Sequence, residues 1–200
     1  MTLALIDYGA GNLRSVENAL RTVGAEDICV TADPDVVRAA DRIVLPGVGA
    51  FAAAATALRA VPGLVDALDE RVRRDARPFL GVCVGMQLMA SVGEEHGDTA
   101  GLGWLSGRVR PLSPAGALKV PHMGWNDVRP LGGSALLEPG EAYFLHGFAY
   151  EGDGVLATTD HGGTVTAAVG RETAIGVQFH PEKSQRYGLA FLRRFLDWCP

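Results

Sequence analysis

The chain has 200 residues, of which 48% are hydrophobic and 20% charged, with a formal net charge of −5. That length supports one sizeable core rather than two ordinary domains, and the composition excludes a disordered chain. Without a basic excess, the surface is poorly matched to nucleic acid or to an anionic membrane.

The opening "MTLALIDYGAGN" has no basic leader, and Asp7 ends its apolar stretch. It reads as a first strand over 3–7, not a signal peptide, and no apolar run reaches the roughly 20 residues of a membrane span. Asn12 is expected to cap a helix whose apolar face is Leu13, Val16, Leu20 and Val23, with Gly24 as its stop. "DICV" (27–30) reads as a second strand. Asp33 and Pro34 start a second helix. "RIVLPGVG" (42–49) is a third strand running into a Pro/Gly loop. An Ala-rich stretch and "LVDALDERVRRD" (64–75) supply helices, and "RPFLGVC" (77–83) is a fourth strand. Strands that are apolar throughout, alternating with helices, predict an α/β fold with a mostly parallel sheet covered on both faces.

The second half changes character. "GRVRPL", "GALKV", "GWNDV", "EAYFLHGFAYE", "GVLATTD", "TVTAAVG" and "AIGVQFH" read as short strands between Gly, Asp and Pro turns, hence antiparallel additions. Ser184 is expected to cap a closing helix, with Tyr187, Phe191, Phe195 and Trp198 along its packed side. With no repeat or linker, residues 1–200 are read as one domain.

The cysteines, Cys29, Cys83 and Cys199, are odd in number and widely spaced. They form neither a disulfide framework nor a zinc pattern, which fits a reducing cytoplasm and a protein with no metal and no cofactor. Cys83 stands out. In "GVCVG" it lies between Gly81 and Gly85 where a strand passes into a helix, the form of a nucleophile elbow with sulfur replacing oxygen. Ligands of open α/β sheets collect at such strand ends. The turn would aim the Val84 amide at the nucleophile as an oxyanion donor. A buried structural cysteine is the competing reading.

A thiol near its ordinary pKa of about 8.5 needs a base. Of five histidines, His96 and His161 lie in polar loop contexts and are expected to face solvent. His180 is the best placed. It ends an apolar strand at "QFHPE", and strand alternation would bring Glu182 to its side to fix its tautomer.

"GVCVGMQL" together with "GVQFHPEKS" resembles the class I (triad) glutamine amidotransferases, which hydrolyse glutamine to glutamate and ammonia. "IDYGAGNLRSV", "LPGVGAF", "VPHMGWN" and "YFLHGF" look in particular like the glutaminase subunits of imidazole glycerol phosphate synthase, an enzyme of histidine biosynthesis. The resemblance implies a flavodoxin-like class I amidotransferase fold. It implies Cys83 as nucleophile, His180 as base and then acid, and Glu182 as orienter. It also implies an oxyanion hole from Val84 and the Gly47–Val48–Gly49 stretch, where a peptide is thought to flip. Gln87, Glu95 and the main chain of Gly147 and Phe148 would contact glutamine, with Glu94 as an alternative to Glu95. The implied partner is a separate (β/α)8-barrel cyclase subunit that receives the ammonia, forming a heterodimer. The loop 8–12 with Asn12, together with Trp125, Asn126, Tyr143 and Lys183, is the expected docking surface. His122 and His146 would support the site. The chain departs from the family at Gly147-Phe148, where Ser or Thr followed by Tyr is usual. A pyridoxal phosphate synthase glutaminase, a catalytically silent scaffold and a cysteine peptidase remain as alternatives.

Overall fold

The structure, a computed structural model, describes residues 1–200. In chain order, the first half comprises β1 (Thr2–Ile6), α1 (Leu13–Thr22), β2 (Asp27–Thr31), α2 (Pro34–Ala39), β3 (Arg42–Gly47), α3 (Phe51–Ala60), α4 (Leu64–Asp69), β4 (Phe79–Cys83) and α5 (Val84–Gln87). The second half comprises β5 (Ala90–Gly93), β6 (Thr99–Ala100), β7 (Leu105–Pro111), β8 (His122–Pro130), β9 (Gly140–His146), β10 (Phe148–Gly152), β11 (Val155–Asp160), β12 (Thr164–Arg171), β13 (Ala174–Val177) and α6 (Gln185–Asp197). A π-helical turn, Glu70–Arg74, prolongs α4, and a 3-10 turn, Pro181–Lys183, leads into α6.

Nine strands form one sheet in the order β2-β1-β3-β4-β13-β12-β11-β8-β9. The neighbours from β2 to β13 pair in parallel and the rest antiparallel. The parallel half is the doubly wound arrangement expected of β1, β3 and β4, whose residues are buried almost without break. A second sheet, β10-β7-β5-β6, stands beside it. Phe51, Phe79, Phe144, Phe179, Phe191 and Phe195 are among the largest fully buried side chains and fill the space between sheet and helices.

Local signals succeed where the chain meets its own backbone. The Asp33 carboxylate accepts from Asp35 N–H at 2.9 Å, as a cap should. Two other expected caps fail. Asn12 precedes α1, but its side chain makes no capping hydrogen bond. Ser184 turns its hydroxyl away from α6, donating to the His180 carbonyl and accepting from Tyr143 N–H. "GALKV" is not a strand. "EAYFLHGFAYE" is two strands in different sheets, divided at Gly147.

Parallel register carries the ends of β3, β4 and β13 to one edge. Gly47 pairs with Cys83, and Val82 with Val177. Everything chemical lies just past these residues.

Candidate active site

Cys83 ends β4 at φ 55° and ψ −112°, a sparsely populated conformation for a residue with a side chain. The flanking glycines permit it. A Cβ on Gly81 would stand 2.7 Å from the Gly85 carbonyl oxygen, and one on Gly85 would run into the Leu45 carbonyl. The next residue, Val84, opens the short helix α5.

His180 lies three residues beyond β13 and is buried. Its backbone is fixed from both sides. Its N–H donates to the Tyr143 carbonyl at 2.9 Å, and its own carbonyl accepts from Ser184 Oγ at 2.7 Å. The ring donates from Nδ1 to Glu182 Oε1 at 2.8 Å, which leaves Nε2 for Cys83. The pairing was expected, but its cause differs. Strand pairing has ended by Val177, and the 3-10 turn beginning at Pro181, not strand alternation, folds Glu182 back beside the ring. The Glu182 side chain is only 2% exposed, and its Oε2 has no partner. Burial works against a charge on His180, but hydrogen bonds and negative charge from Cys83 and Glu182 outweigh it and lift the pKa to about 9. The arrangement therefore favours an imidazolium beside the sulfur.

A cavity of about 140 Å³ opens onto Cys83 and His180. Val48, Gly49 and Val84 border it on the sulfur side, and Gln87 and Glu95 on another. Gly147, Phe148 and Lys183 also line it, so most of the residues singled out in the sequence converge here. Gly47 and Glu182 do not line it; Gly47 lies beneath the turn and Glu182 behind His180. A larger hollow of about 230 Å³ lies between Val72, Trp104 and Thr173, at the start of β13, and does not include Cys83.

The glutamine amidotransferase class-I family model matches residues 4–198. The chain belongs to the class-I glutamine amidotransferase family. It is 60% identical to the imidazole glycerol phosphate synthase subunit HisH of Zymomonas mobilis, over 100% of this chain and 97% of that one. It is 52% identical to the subunit of the same name from Rhodopseudomonas palustris, over the full length of both. Among solved structures, a glutamine amidotransferase superposes with a TM-score of 0.77 at 20% identity, covering 98% of each chain. PurLQS from Thermotoga maritima superposes with 0.74 at 19% identity, covering 98% and 97%. At those identities the superpositions speak for the fold alone.

Within this amidotransferase the remaining expectations are refined. Glu94 is engaged by Arg108 and Arg110, so Glu95 is the carboxylate at the cavity. Glu95 also accepts the Phe51 N–H at 2.7 Å through Oε2. Of the main-chain carbonyls of Gly147 and Phe148, only the second has both lone pairs filled and is closed to a ligand. The first accepts from Leu112 N–H and the second from both Gln87 Nε2 and the His146 ring. Gln87 donates from Nε2 to the Phe148 carbonyl at 3.1 Å and to Gln178 Oε1 at 2.9 Å, so Oε1 is the polar atom it has left for the cavity.

The expected docking residues divide. Trp125 is 47% exposed and meets the Tyr143 ring edge-on, and Lys183 Nζ stands 5.8 Å from the centre of that ring. This row leads to the cavity. Asn12 is exposed beside Gly11, whose α-carbon faces Pro46, the residue before Gly47. Asn126 is turned inward instead. Its side chain bonds His122, the Asp160 carbonyl and Asp127 N–H, so its polar atoms are engaged within the chain. His161 is half-buried rather than solvent-facing and stacks on His122 at 4.2 Å.

Sequence reasoning overlooked Gln178 and took Tyr8 only as part of the docking loop 8–12, whereas Tyr8 is buried. Gln178 is fully buried and directs Nε2 at Cys83 Sγ, 3.7 Å away. Its place two residues before His180 was the available signal. The Tyr8 hydroxyl is buried without a partner close to Gly47, and burial, then the charge at Cys83, hold its proton on.

Proposed function

We infer that the chain is the glutaminase subunit of an imidazole glycerol phosphate synthase, with residues 1–200 acting as one amidotransferase domain. The observation that carries the glutaminase part is the strained Cys83 beside a buried, carboxylate-paired His180 on one cavity, and the 60% identity to a HisH subunit supports the synthase part.

In this reading Cys83 Sγ attacks the side-chain carbonyl carbon of glutamine. The resulting oxyanion is met by Val84 N–H and by a main-chain N–H of the Gly47–Gly49 stretch. His180 passes a proton from Nε2 to the departing nitrogen, and ammonia leaves behind a glutamyl thioester. A water then attacks the thioester carbonyl as His180 takes its proton. Glutamate leaves as the Cys83 thiolate is expelled, and the proton stays on His180, which restores the resting pair. Glu182 keeps Nδ1 protonated throughout, so Nε2 does the exchanging. Gln87 Oε1 and Glu95 are both acceptors and suit the α-ammonium of glutamine.

Ammonia freed here must reach its acceptor before water protonates it. Exposed apolar residues near the cavity, Val48 at 42%, Val120 at 48% and Met123 at 66%, support a partner that seals the mouth. We assign that partner as a (β/α)8-barrel cyclase forming imidazole glycerol phosphate and AICAR, and place the complex in the cytoplasm; no single helix is long and apolar enough to cross a membrane.

The test is glutamate release by the chain alone and with a cyclase subunit and its nucleotide substrate. Slow release alone and a sharp rise with both is expected. No glutamate in either condition, with folded protein, refutes the reading.

A further inference from the structure

Two buried histidines play no part in the mechanism above. His122 on β8 and His146 on β9 are register partners, 4% and 5% exposed. Their rings are joined by a contact of 3.0 Å between His122 Nδ1 and His146 Nε2. The protons along this contact can be assigned from both ends.

At the cavity end, His146 Nδ1 lies 2.8 Å from the Phe148 carbonyl oxygen, which can only accept. Nδ1 therefore carries the proton, and in a neutral ring Nε2 is the acceptor. His122 must then donate from Nδ1, which leaves its Nε2 as an acceptor. At the far end, Asn126 Nδ2 donates to the Asp160 carbonyl at 2.7 Å, and Asn126 Oδ1 accepts from Asp127 N–H at 2.8 Å. The amide orientation is thereby fixed, and Nδ2 has its second hydrogen for His122 Nε2 at 3.0 Å. Both ends demand the same direction: Asn126 to His122, His122 to His146, His146 to the Phe148 carbonyl.

The His122 ring is held by stacking as well as by its two nitrogen contacts. It is stacked between Phe144, at 4.9 Å and 17°, and His161, at 4.2 Å and 20°. His161 is held in turn by its own contact to the Lys119 carbonyl. A proton added to either central ring would set N–H against N–H. Burial already pushes both pKa values down to about 4, so the chain of donors is intact at neutral pH.

The series does not stop at Phe148. Its carbonyl takes a second donor, Gln87 Nε2, which also donates to Gln178, which points at Cys83 Sγ. The carbonyl oxygen thus has both of its lone pairs filled, one by His146 and one by Gln87. Loss of the first would remove one of the restraints on the Gly147–Phe148 corner, the point where the chain passes from one sheet to the other.

We propose that His122 and His146 are positioning residues for glutamine: a neutral imidazole pair, aligned by Asn126, that holds the Phe148 peptide and through it directs Gln87 Oε1 at the cavity. This deepens the functional reading above and rests on it for the identity of the ligand.

The experiment compares His122→Asn and His122→Phe in the complex with the partner subunit. Asparagine places Nδ2 where the ring has Nδ1, so it keeps donation to His146. Phenylalanine keeps the stack and loses the donor. His122→Phe should raise KM for glutamine about tenfold with kcat within about threefold, the scale of one lost hydrogen bond of about 1.4 kcal/mol. His122→Asn should stay within about threefold of the original KM, on the same scale. An unchanged KM in His122→Phe overturns the proposal, and so does an equal rise in both variants, which would indicate packing alone. Nitrogen NMR of the unsubstituted chain decides the matter independently of turnover. Both rings should carry hydrogen on Nδ1 and none on Nε2 at pH 7, and an Nε2–H on either refutes the assignment. Absence of any glutamine hydrolysis in the unsubstituted complex would count against the glutaminase reading instead, with the tautomers still testing the pair.

Discussion

Glu182→Gln isolates the electrostatic part of the triad. Glutamine has the shape of glutamate and can still accept from His180 Nδ1, but it carries no charge. The His180 pKa is lifted from 6.5 to about 9 against the effect of burial. At about 1.4 kcal/mol per unit, that is ~3 kcal/mol in favour of the imidazolium. Cys83 and Glu182 supply the lift between them, so removing one charge should forfeit ~2 kcal/mol, or about a 30-fold loss of rate where His180 is protonated. The amide can also present its NH2 group to Nδ1 and reverse the tautomer, a fault that costs about 10⁴ in a comparable triad. kcat is therefore expected to fall by roughly 10² to 10⁴, with KM for glutamine little changed. Glutamate release with the partner subunit present is the assay, with a melting curve to confirm folding. A variant within about fivefold of the original kcat would refute the assigned role of the charge.

Acid stability follows from the other histidines. His122 and His146 have folded-state pKa values of about 4, below the ordinary 6.5, so the unfolded chain binds more protons between these values. Stability should fall as pH drops from 6.5 to 4, with a slope approaching about 1.4 kcal/mol per pH unit for each ring. Denaturant unfolding at pH 7, 5.5 and 4.5 measures it, and His146→Asn should remove about one proton from the slope. His180 acts oppositely: its folded pKa is raised, so its contribution is complete below 6.5 and is lost as pH rises through about 9. Gly85→Ala should destabilise by about 3 kcal/mol or more and abolish activity, because its Cβ meets the Leu45 carbonyl; a chemical melt within about 1 kcal/mol of the original contradicts this. Gly147→Ser should fold normally, since its Cβ would lie an ordinary 3.6 Å from Val120 Cγ1, and should lower KM for glutamine by restoring a hydroxyl at the cavity; an unchanged KM denies that hydroxyl a role.

The parallel half of the fold was legible because its strands are buried on both faces and so read as unbroken apolar runs. The elbow was legible because its glycines answer to a local clash. The His180–Glu182 pair was legible by spacing, though a 3-10 turn produces it. What could not be read depends on distant partners. "EAYFLHGFAYE" is one alternating run, and only tertiary contacts divide it between two sheets. Asn126 has the residue type of a docking contact, but its register across β9 and its reach to Asp160 turn it inward. Ser184 stands at a helix start with cap chemistry, yet the His180 carbonyl and Tyr143 amide claim its hydroxyl. Gln178 lies beside the recognisable histidine and becomes meaningful only when β4 and α5 are packed against it.

The central claim is that Cys83 performs glutamine hydrolysis at the end of β4. Its most direct test is glutamate release by Cys83→Ala in the assembled complex, against the unsubstituted chain, with co-elution of the subunits as the control for assembly. Loss of glutamate formation with assembly retained is the expected result. Glutamate formed by the variant at a rate comparable to the original would contradict it.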